Sequence, residues 1–382
     1  MSTLAVKVER IRDIQPHGNA DRLEIATVLG WQCVVQKGAF KKGDLCVYFP
    51  IDSILPQTVE DAIFGADSKI KLAKHRIRTI KLRGAISQGL ATEPKTLIGL
   101  GAGIINAKEG TDLTAVLGVT KYEPPPPRTQ GMSNLQKSWR KKNPHFHEYT
   151  DIENAKNYPD TFAPGERVLV SEKVHGTNFR AGWVPYEPDN LWKKLLTWLH
   201  LAPKYEFVFG SRKVQLQDPG RVAGTGFYER QANGEGPPPG NVYAEAVRKY
   251  NLRKIPLGYV VYGEIYGSGI QKGYTYGCKQ GEHKVAFFDL MINGQYQDDY
   301  EFRRWATIVG LPVVPQLWSG KYESLDQMKA LTVGDSVLCH EQPCMEGVVV
   351  KPEHERWDPS LGRVILKVVS DQYLLGDQSE FH

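Results

Sequence analysis

Short stretches in which apolar and polar residues alternate dominate the first third of the chain. Residues 4–11 alternate in this way and predict a half-buried strand. Residues 23–29, 31–35 and 45–49 predict three more, set apart by polar turns at 17–21 and 42–44. Residues 77–82 alternate apolar with basic positions. Short strands at this spacing, punctuated by glycine, predict a small Greek-key barrel of the OB type. From about residue 145 the pattern changes. Longer β-branched runs at 168–173, 258–267, 284–291, 345–351 and 364–370 predict buried strands. Residues 207–213 predict another strand, and residues 178–183 read as the return strand of a hairpin with 168–173. A helical period appears at 191–201, at 300–309 and at 242–250, where Tyr243, Ala246, Val247 and Tyr250 share a face.

The predicted class is therefore α+β: an N-terminal OB-type barrel over residues 1–120 and a domain of antiparallel sheets flanked by helices over 145–382. Residues 121–144 join them. Pro124 to Pro127 form a stiff segment there, followed by Trp139 among Lys137, Arg140, Lys141 and Lys142. A length of 382 residues suits two domains. A net charge of +5 permits a polyanionic partner without requiring one. Residues 71–83 concentrate that charge: Lys71, Lys74, Arg76, Arg78, Lys81 and Arg83 are candidates for a nucleic-acid groove, or for a solvated edge strand blunted by charge. The five cysteines are odd in number and scattered, which argues against a disulfide framework and for a reducing, cytoplasmic setting. No apolar run approaches the roughly 20 residues that span a bilayer, and no signal-peptide pattern opens the chain.

Four of the apolar runs each carry one or two ionisable residues: Lys173, Glu264, Glu346 and Lys367, with Asp289 and Lys351 at strand edges. Buried charge is costly unless paired. Paired charge inside a sheet is often no more stabilising than apolar packing. Repetition across several strands therefore points to chemistry. Two lysines with carboxylates suit a nucleotide polyphosphate and a divalent metal. Lys173 precedes Gly176 by three positions, and glycine lets backbone approach a ligand closely. Taken alone, this lysine–glycine spacing is common.

Together, Lys173-x-x-Gly176, Glu264 in Tyr-Gly-Glu-Ile-Tyr-Gly, Phe288-Asp289, Glu346-Gly347-Val348-Val349-Val350-Lys351 and Leu366-Lys367 resemble, in order, the five motifs of covalent nucleotidyltransferases. That superfamily includes ATP-dependent DNA ligases, RNA ligases and capping enzymes. Glu-Lys-Val-His-Gly-Thr-Asn resembles the RNA ligase 2-like branch. The barrel-like domain ahead of the motifs, with Arg83-Gly84-Ala85-Ile86-Ser87-Gln88-Gly89, resembles the OB-fused RNA ligase 5 family. The resemblance implies an ATP-dependent RNA ligase that joins 3′-OH and 5′-phosphate RNA ends, a nicked duplex included, acting in repair as a monomer. It implies ATP and a divalent metal, Mg or Mn, as cofactors. It implies Lys173 as the nucleophile that carries AMP. Glu172 and Asn178 would flank the nucleotide or its metal waters, and Arg212 would contact phosphate or the RNA end. Glu264 would hold a ribose hydroxyl, Phe288 would stack on adenine with Phe287 as its competitor, and Glu346 would bind metal through water. Lys351 and Lys367 would grip the α-phosphate. The second lysine that many members carry in the last motif is Val369 here. The alternatives are a DNA ligase or capping-type enzyme, disfavoured because no barrel follows the last motif, and an inactive nucleic-acid-binding protein.

Overall fold

The structure, a computed structural model, describes residues 4–68, 71–101, 103–122, 142–188, 191–199, 201, 203–216, 242–342 and 344–376. Lys137, Trp139, Arg140 and Lys141 of the expected linker lie outside the described residues. In the barrel, β1 (Lys7–Pro16), β2 (Leu23–Val28), β3 (Trp31–Gln36) and β4 (Leu45–Phe49) follow the alternating runs. The expected first strand starts at Lys7 and runs five residues further than the pattern suggests, to Pro16. It does so by bending. A register shift between Ile11 and Asp13 lets its first half pair with β4 and its second half with β2. The hairpin β5 (Thr79–Leu82) and β6 (Ala85–Gln88) and the short β7 (Leu90–Thr92) follow α1 (Gln57–Phe64). The sheet order is β3-β2-β1-β4-β7. β6 nearly closes the barrel against β3, with Val34 N donating to Ser87 Oγ at 3.0 Å and Gln32 Nε2 to the Ile86 carbonyl at 2.8 Å. Ile11, Val28, Trp31, Cys33 and Tyr48 fill the interior.

The basic run does not form one groove. Arg76 is buried, pairs with Asp52 at 2.6 Å and lies 3.6 Å over the Tyr122 ring, so it is a structural cation and its expected RNA contact is withdrawn. Lys71 and Lys74 are exposed beside a single 3₁₀ turn. Lys81 and Arg83 are exposed on the β5–β6 hairpin, with Arg78 half-buried at its base.

Two large sheets build the second domain among the described residues, beside a two-stranded ribbon of Trp357–Asp358 and Gly362–Arg363. β10 (Thr177–Pro185), β11 (Tyr205–Gly210), β12 (Gln215–Leu216), β13 (Tyr259–Gly267), β14 (His283–Ile292) and β15 (Gln295–Tyr296) form one, ordered β12-β11-β10-β13-β14-β15. β8 (Glu153–Asn154), β9 (Arg167–Glu172), β16 (Gln316–Lys321), β17 (Gly347–Pro352) and β18 (Leu366–Val369) form the other, ordered β8-β18-β17-β9-β16. The predicted helices appear as α2 (Leu191–Trp198), α3 (Val242–Lys249) and α4 (Asp299–Val309), followed by α5 (Leu325–Ala330) and α6 (Asp371–Leu375). α3 and α4 pack on the outer face of the first sheet through Tyr243, Val247 and Phe302. Among the described residues no helix is long and apolar enough to cross a membrane.

The hairpin expected between β9 and β10 is not formed, because the two strands belong to different sheets. The turn between them crosses from one sheet to the other. Gly176 makes the crossing possible, since a Cβ there would stand 2.9 Å from Glu264 Cγ and closer still to the Ile265 carbonyl.

Asp289 joins the sheets. Its fully buried Oδ2 accepts from Arg363 at 2.7 Å, from Tyr149 Oη at 2.8 Å and from Lys351 at 3.1 Å. Burial opposes its ionisation, but Arg363 and Lys351 outweigh burial and hold its carboxyl below the usual range. A second junction docks the barrel. Lys156, buried, donates to Gln88 Oε1 at 2.7 Å and pairs with Asp371 of α6 at 3.1 Å, while Gly30 N donates to the Lys156 carbonyl at 2.8 Å. Replacing Asp289 with alanine leaves two buried cations short of their shared anion. The expected loss of stability is about 3–5 kcal/mol, read by urea unfolding; a change within ordinary surface-mutation scatter would show that the hub does not hold the sheets.

Candidate active site

The facing sides of the two sheets enclose a cavity of about 240 Å³. Its walls include eight of the nine nucleotide-site residues expected from the sequence: Glu172, Lys173, Asn178, Arg212, Glu264, Phe288, Lys351 and Lys367. The ninth, Glu346, lines a second cavity of about 450 Å³ between this domain and the barrel. Lys173, Arg212, Glu264 and Lys367 border both.

Lys173 follows β9 directly. Its N–H donates to the Gly347 carbonyl at 2.9 Å, which fixes it beside the start of β17. Its Nζ stands 2.5 Å from Glu346 Oε1 and its side chain is 25% exposed, so the amine is held yet reachable. Glu346 Oε2 faces His175 Nδ1 at 3.4 Å. Burial opposes ionisation of Glu346, but Lys173 and His175 overcome it and keep the carboxyl down at about 2. His175 is packed edge-on against Tyr274 and Tyr373, and its backbone N–H donates to the Tyr276 hydroxyl at 2.8 Å. Lys367, across β17 and β18 from Val349, is pulled down to about 8 by burial and by repulsion from Lys173, with Glu346 opposing.

Asn178 and Glu264 are register partners on β10 and β13 and share the cavity. Asn178 Oδ1 is buried without a hydrogen-bond partner among the described residues, the condition of a group that can accept from a ligand donor. Burial pushes half-buried Glu264 up to about 8; Lys173 offsets this in part and Glu346 adds to it. Phe288 lines the cavity, held edge-on by Tyr149 at 4.8 Å, whereas Phe287 is fully buried in the core with Phe179 and Tyr250. A register shift in the β13–β14 pairing explains why Phe288 and Asp289, though adjacent, both serve the inter-sheet side: Tyr262 faces Asp289, Gly263 faces Phe287, and Phe288 is the extra residue.

Two expected roles change. Glu172 is buried with its carboxylate turned to Ser336 Oγ at 2.5 Å and Val337 N at 2.9 Å, so it anchors that loop, which takes its oxygens away from the expected metal contact. Lys351 lines the cavity, but its ammonium is committed to Asp289 and to the Phe288 carbonyl at 2.8 Å, which weakens its claim on phosphate. Arg212, whose charge burial disfavours, reaches Asp151 and the Tyr149 carbonyl and remains on the wall. Sequence reasoning also passed over His175, which lies inside its own motif, and Arg303. Arg303 binds Asp299 at 2.5 Å, the Val314 carbonyl at 2.9 Å and Ser171 Oγ at 2.9 Å, and so sets two wall residues.

A two-sheet cleft with an accessible lysine on its wall, behind an OB barrel, defines a ligase-type nucleotidyltransferase fold. An RNA ligase family model matches residues 166–369, and an OB-fold domain model matches residues 5–94. The chain belongs to the RNA ligase family. Among solved structures, a Naegleria gruberi RNA ligase with PPi is similar at a TM-score of 0.68 and 24% identity, over 98% of this chain and 98% of that one. Point-mutant forms of that enzyme match at 23% identity: one with ATP and Mn, at a TM-score of 0.68 over 97% and 98%, and one with AMP and Mn, at 0.67 over 96% and 97%. These likenesses establish a shared fold along nearly the whole chain. No curated protein matches by sequence.

Glu264 sets a pH test. Its carboxyl titrates near 4.5 when unfolded and near 8 when folded, so the folded form holds the extra proton between those limits. Its contribution to stability is present below about pH 4.5 and is lost as pH rises toward 8. Glu264→Gln is therefore expected to gain stability relative to wild type steadily from pH 5 to pH 8, measured by urea unfolding at several pH values. A pH-independent difference would contradict the assignment.

Proposed function

We propose that this chain joins RNA 3′-OH and 5′-phosphate ends through ATP and a lysyl–AMP intermediate. The observation that carries this reading is the position of Lys173, beside Glu346 on the wall shared by the nucleotide-sized cavity and the barrel-lined cavity. Lys173 Nζ attacks the α-phosphorus of ATP, the bond to the β-phosphate oxygen breaks, and pyrophosphate leaves. The resulting phosphoramidate passes AMP to an RNA 5′-phosphate oxygen. A 3′-hydroxyl then attacks that 5′-phosphorus, forming the phosphodiester and releasing AMP. Attack needs the neutral amine, so the Lys173–Glu346 ion pair is a resting arrangement that must part.

Phe288 supplies the flat face for adenine, and Asn178 and Glu264 supply polar groups for the sugar side. Lys367 and Arg212 carry phosphate charge, with Lys351 reduced to a supporting part by its bond to Asp289. Among the described residues no group of three or more His, Cys, Asp or Glu could hold an ion alone. The hard carboxylate oxygens of Glu346 nevertheless suit Mg or Mn bound mainly through water and phosphate. Such a cation would stabilise charge on the transferring phosphoryl group. The exposed Lys81 and Arg83 on the β5–β6 hairpin are the strongest remaining RNA contacts of the barrel, with Lys71, Lys74 and Arg78 as secondary candidates.

Incubation with α-labelled ATP and a divalent metal should leave acid-labile label on the wild-type chain. Lys173→Ala should carry none while retaining the native circular dichroism, with some loss of stability because Glu346 loses its nearest cation. Label on the variant would displace Lys173 as nucleophile. Separately, Lys81→Ala with Arg83→Ala should slow sealing of nicked RNA on the order of tenfold, as befits two lost phosphate contacts, and should leave AMP attachment near wild type. Equal loss of both activities would remove RNA docking from the hairpin.

A further inference from the structure

Arg180 is the largest cation that the site does not yet explain. It lies on β10 opposite Gly210 of β11 and Tyr262 of β13, and its side chain is fully buried. Its Nε donates to the Ser211 carbonyl at 3.0 Å and a terminal nitrogen donates to the Phe146 carbonyl at 2.6 Å. The guanidinium sits 4.0 Å over the Phe146 ring. Its other terminal nitrogen is buried without a hydrogen-bond partner among the described residues. Burial works against the cation and lowers its hold on the proton, with Tyr262, Glu148 and Tyr296 opposing only in part.

Desolvating a guanidinium is costly, and apolar side chains fill such space more cheaply. What an apolar residue cannot do is tie two separate main-chain carbonyls with one rigid fork. The two carbonyls here have a common purpose. Ser211 precedes Arg212 directly. Phe146 begins the segment that leads to Tyr149 and Asp151, the two residues that Arg212 itself contacts. Arg180 thus ties the residue just before Arg212 to the start of the segment that Arg212 contacts.

We infer that Arg180 is a positioning residue that fixes Arg212 for its contact with phosphate. The inference rests on the reading of Arg212 as a phosphate-binding side chain. A lysine at position 180 keeps the charge but cannot span both carbonyls, so Arg212 loses its fixed base while the local electrostatics persist.

The test is single-turnover AMP transfer to the chain at varied ATP, with thermal unfolding of each variant. Arg180→Lys should slow transfer on the order of 10- to 100-fold, the scale of a displaced contact, with a native-like melting transition. Arg212→Ala should slow the same step. Arg180→Lys placed in the Arg212→Ala background should add almost nothing, since its effect passes through Arg212. A wild-type rate for Arg180→Lys overturns the inference, and so does a full multiplicative loss in the double variant. A wild-type rate for Arg212→Ala refutes the phosphate reading of Arg212, and a slow Arg180→Lys beside it overturns the coupling. If Arg180→Lys fails to fold, Phe146→Leu removes the ring beneath the guanidinium and carries the same two expectations: a slower step alone, and no added loss without Arg212.

Discussion

The carboxylate of Asp289 is the point on which both sheets of the catalytic domain depend. It is wholly buried, and a buried carboxylate persists only if paired and hydrogen-bonded. Arg363, Lys351 and the Tyr149 hydroxyl supply that pairing from three separate segments, and Arg363 is shared with Glu355 at 2.5 Å. The cost of gathering these groups is offset only by their mutual geometry, which ties the strand carrying Phe288 to the one carrying Lys351. The Arg363 guanidinium also lies 3.6 Å over Tyr296. One wall of the inter-sheet cavity is therefore set by charges that satisfy one another.

That arrangement separates the cations of the site into two kinds. Lys351 and Arg363 are neutralised by the hub. Lys367 and Lys173 are grouped instead around Glu346, with Arg212 across the wall. The environment also drives two nearby carboxylates apart: Glu346 is held at about 2 by Lys173 and His175 against its burial, and burial carries Glu264 to about 8. At neutral pH the first is an anion and the second is largely protonated. Glu346 can steady a lysine ammonium or a metal, while Glu264 can donate as well as accept a hydrogen bond.

Much of this site is legible in the sequence. Lys173, Glu264, Glu346 and Lys367 interrupt β-branched runs, where an ionisable residue is conspicuous. What the residues meet is not legible, because partners lie far along the chain. Arg76 reads as part of a basic run, yet Asp52 and Tyr122 remove it from solvent. Glu172 reads as one more acid of the motif, yet Ser336 and Val337 claim its carboxylate. Strand periodicity fails twice for the same kind of reason. The bulge at Phe288 adds a residue to one strand only, and the crossing at Gly176 sends β9 and β10 to different sheets; alternation of side chains records neither.

The docking of the barrel turns these local features into a sequence of possible encounters at one lysine. Gly30 approaches Lys156 so closely that a Cβ would stand 2.8 Å from the Lys156 Cα, and the buried Lys156 ammonium then binds Gln88 of the barrel and Asp371 of α6. α6 in turn places Tyr373 against His175, and the Ser370 N–H just before it donates to the Glu346 carbonyl at 2.9 Å. The barrel is thus braced against the same residues that hold the Lys173 partner. On one side of Lys173 lies the cavity walled by Phe288 and Asn178; on the other lies the cavity that Trp31 and Lys7 of the barrel help to line. Lys173 borders both, so under the proposed mechanism a nucleotide on one side and a polynucleotide end on the other would meet at the same nitrogen.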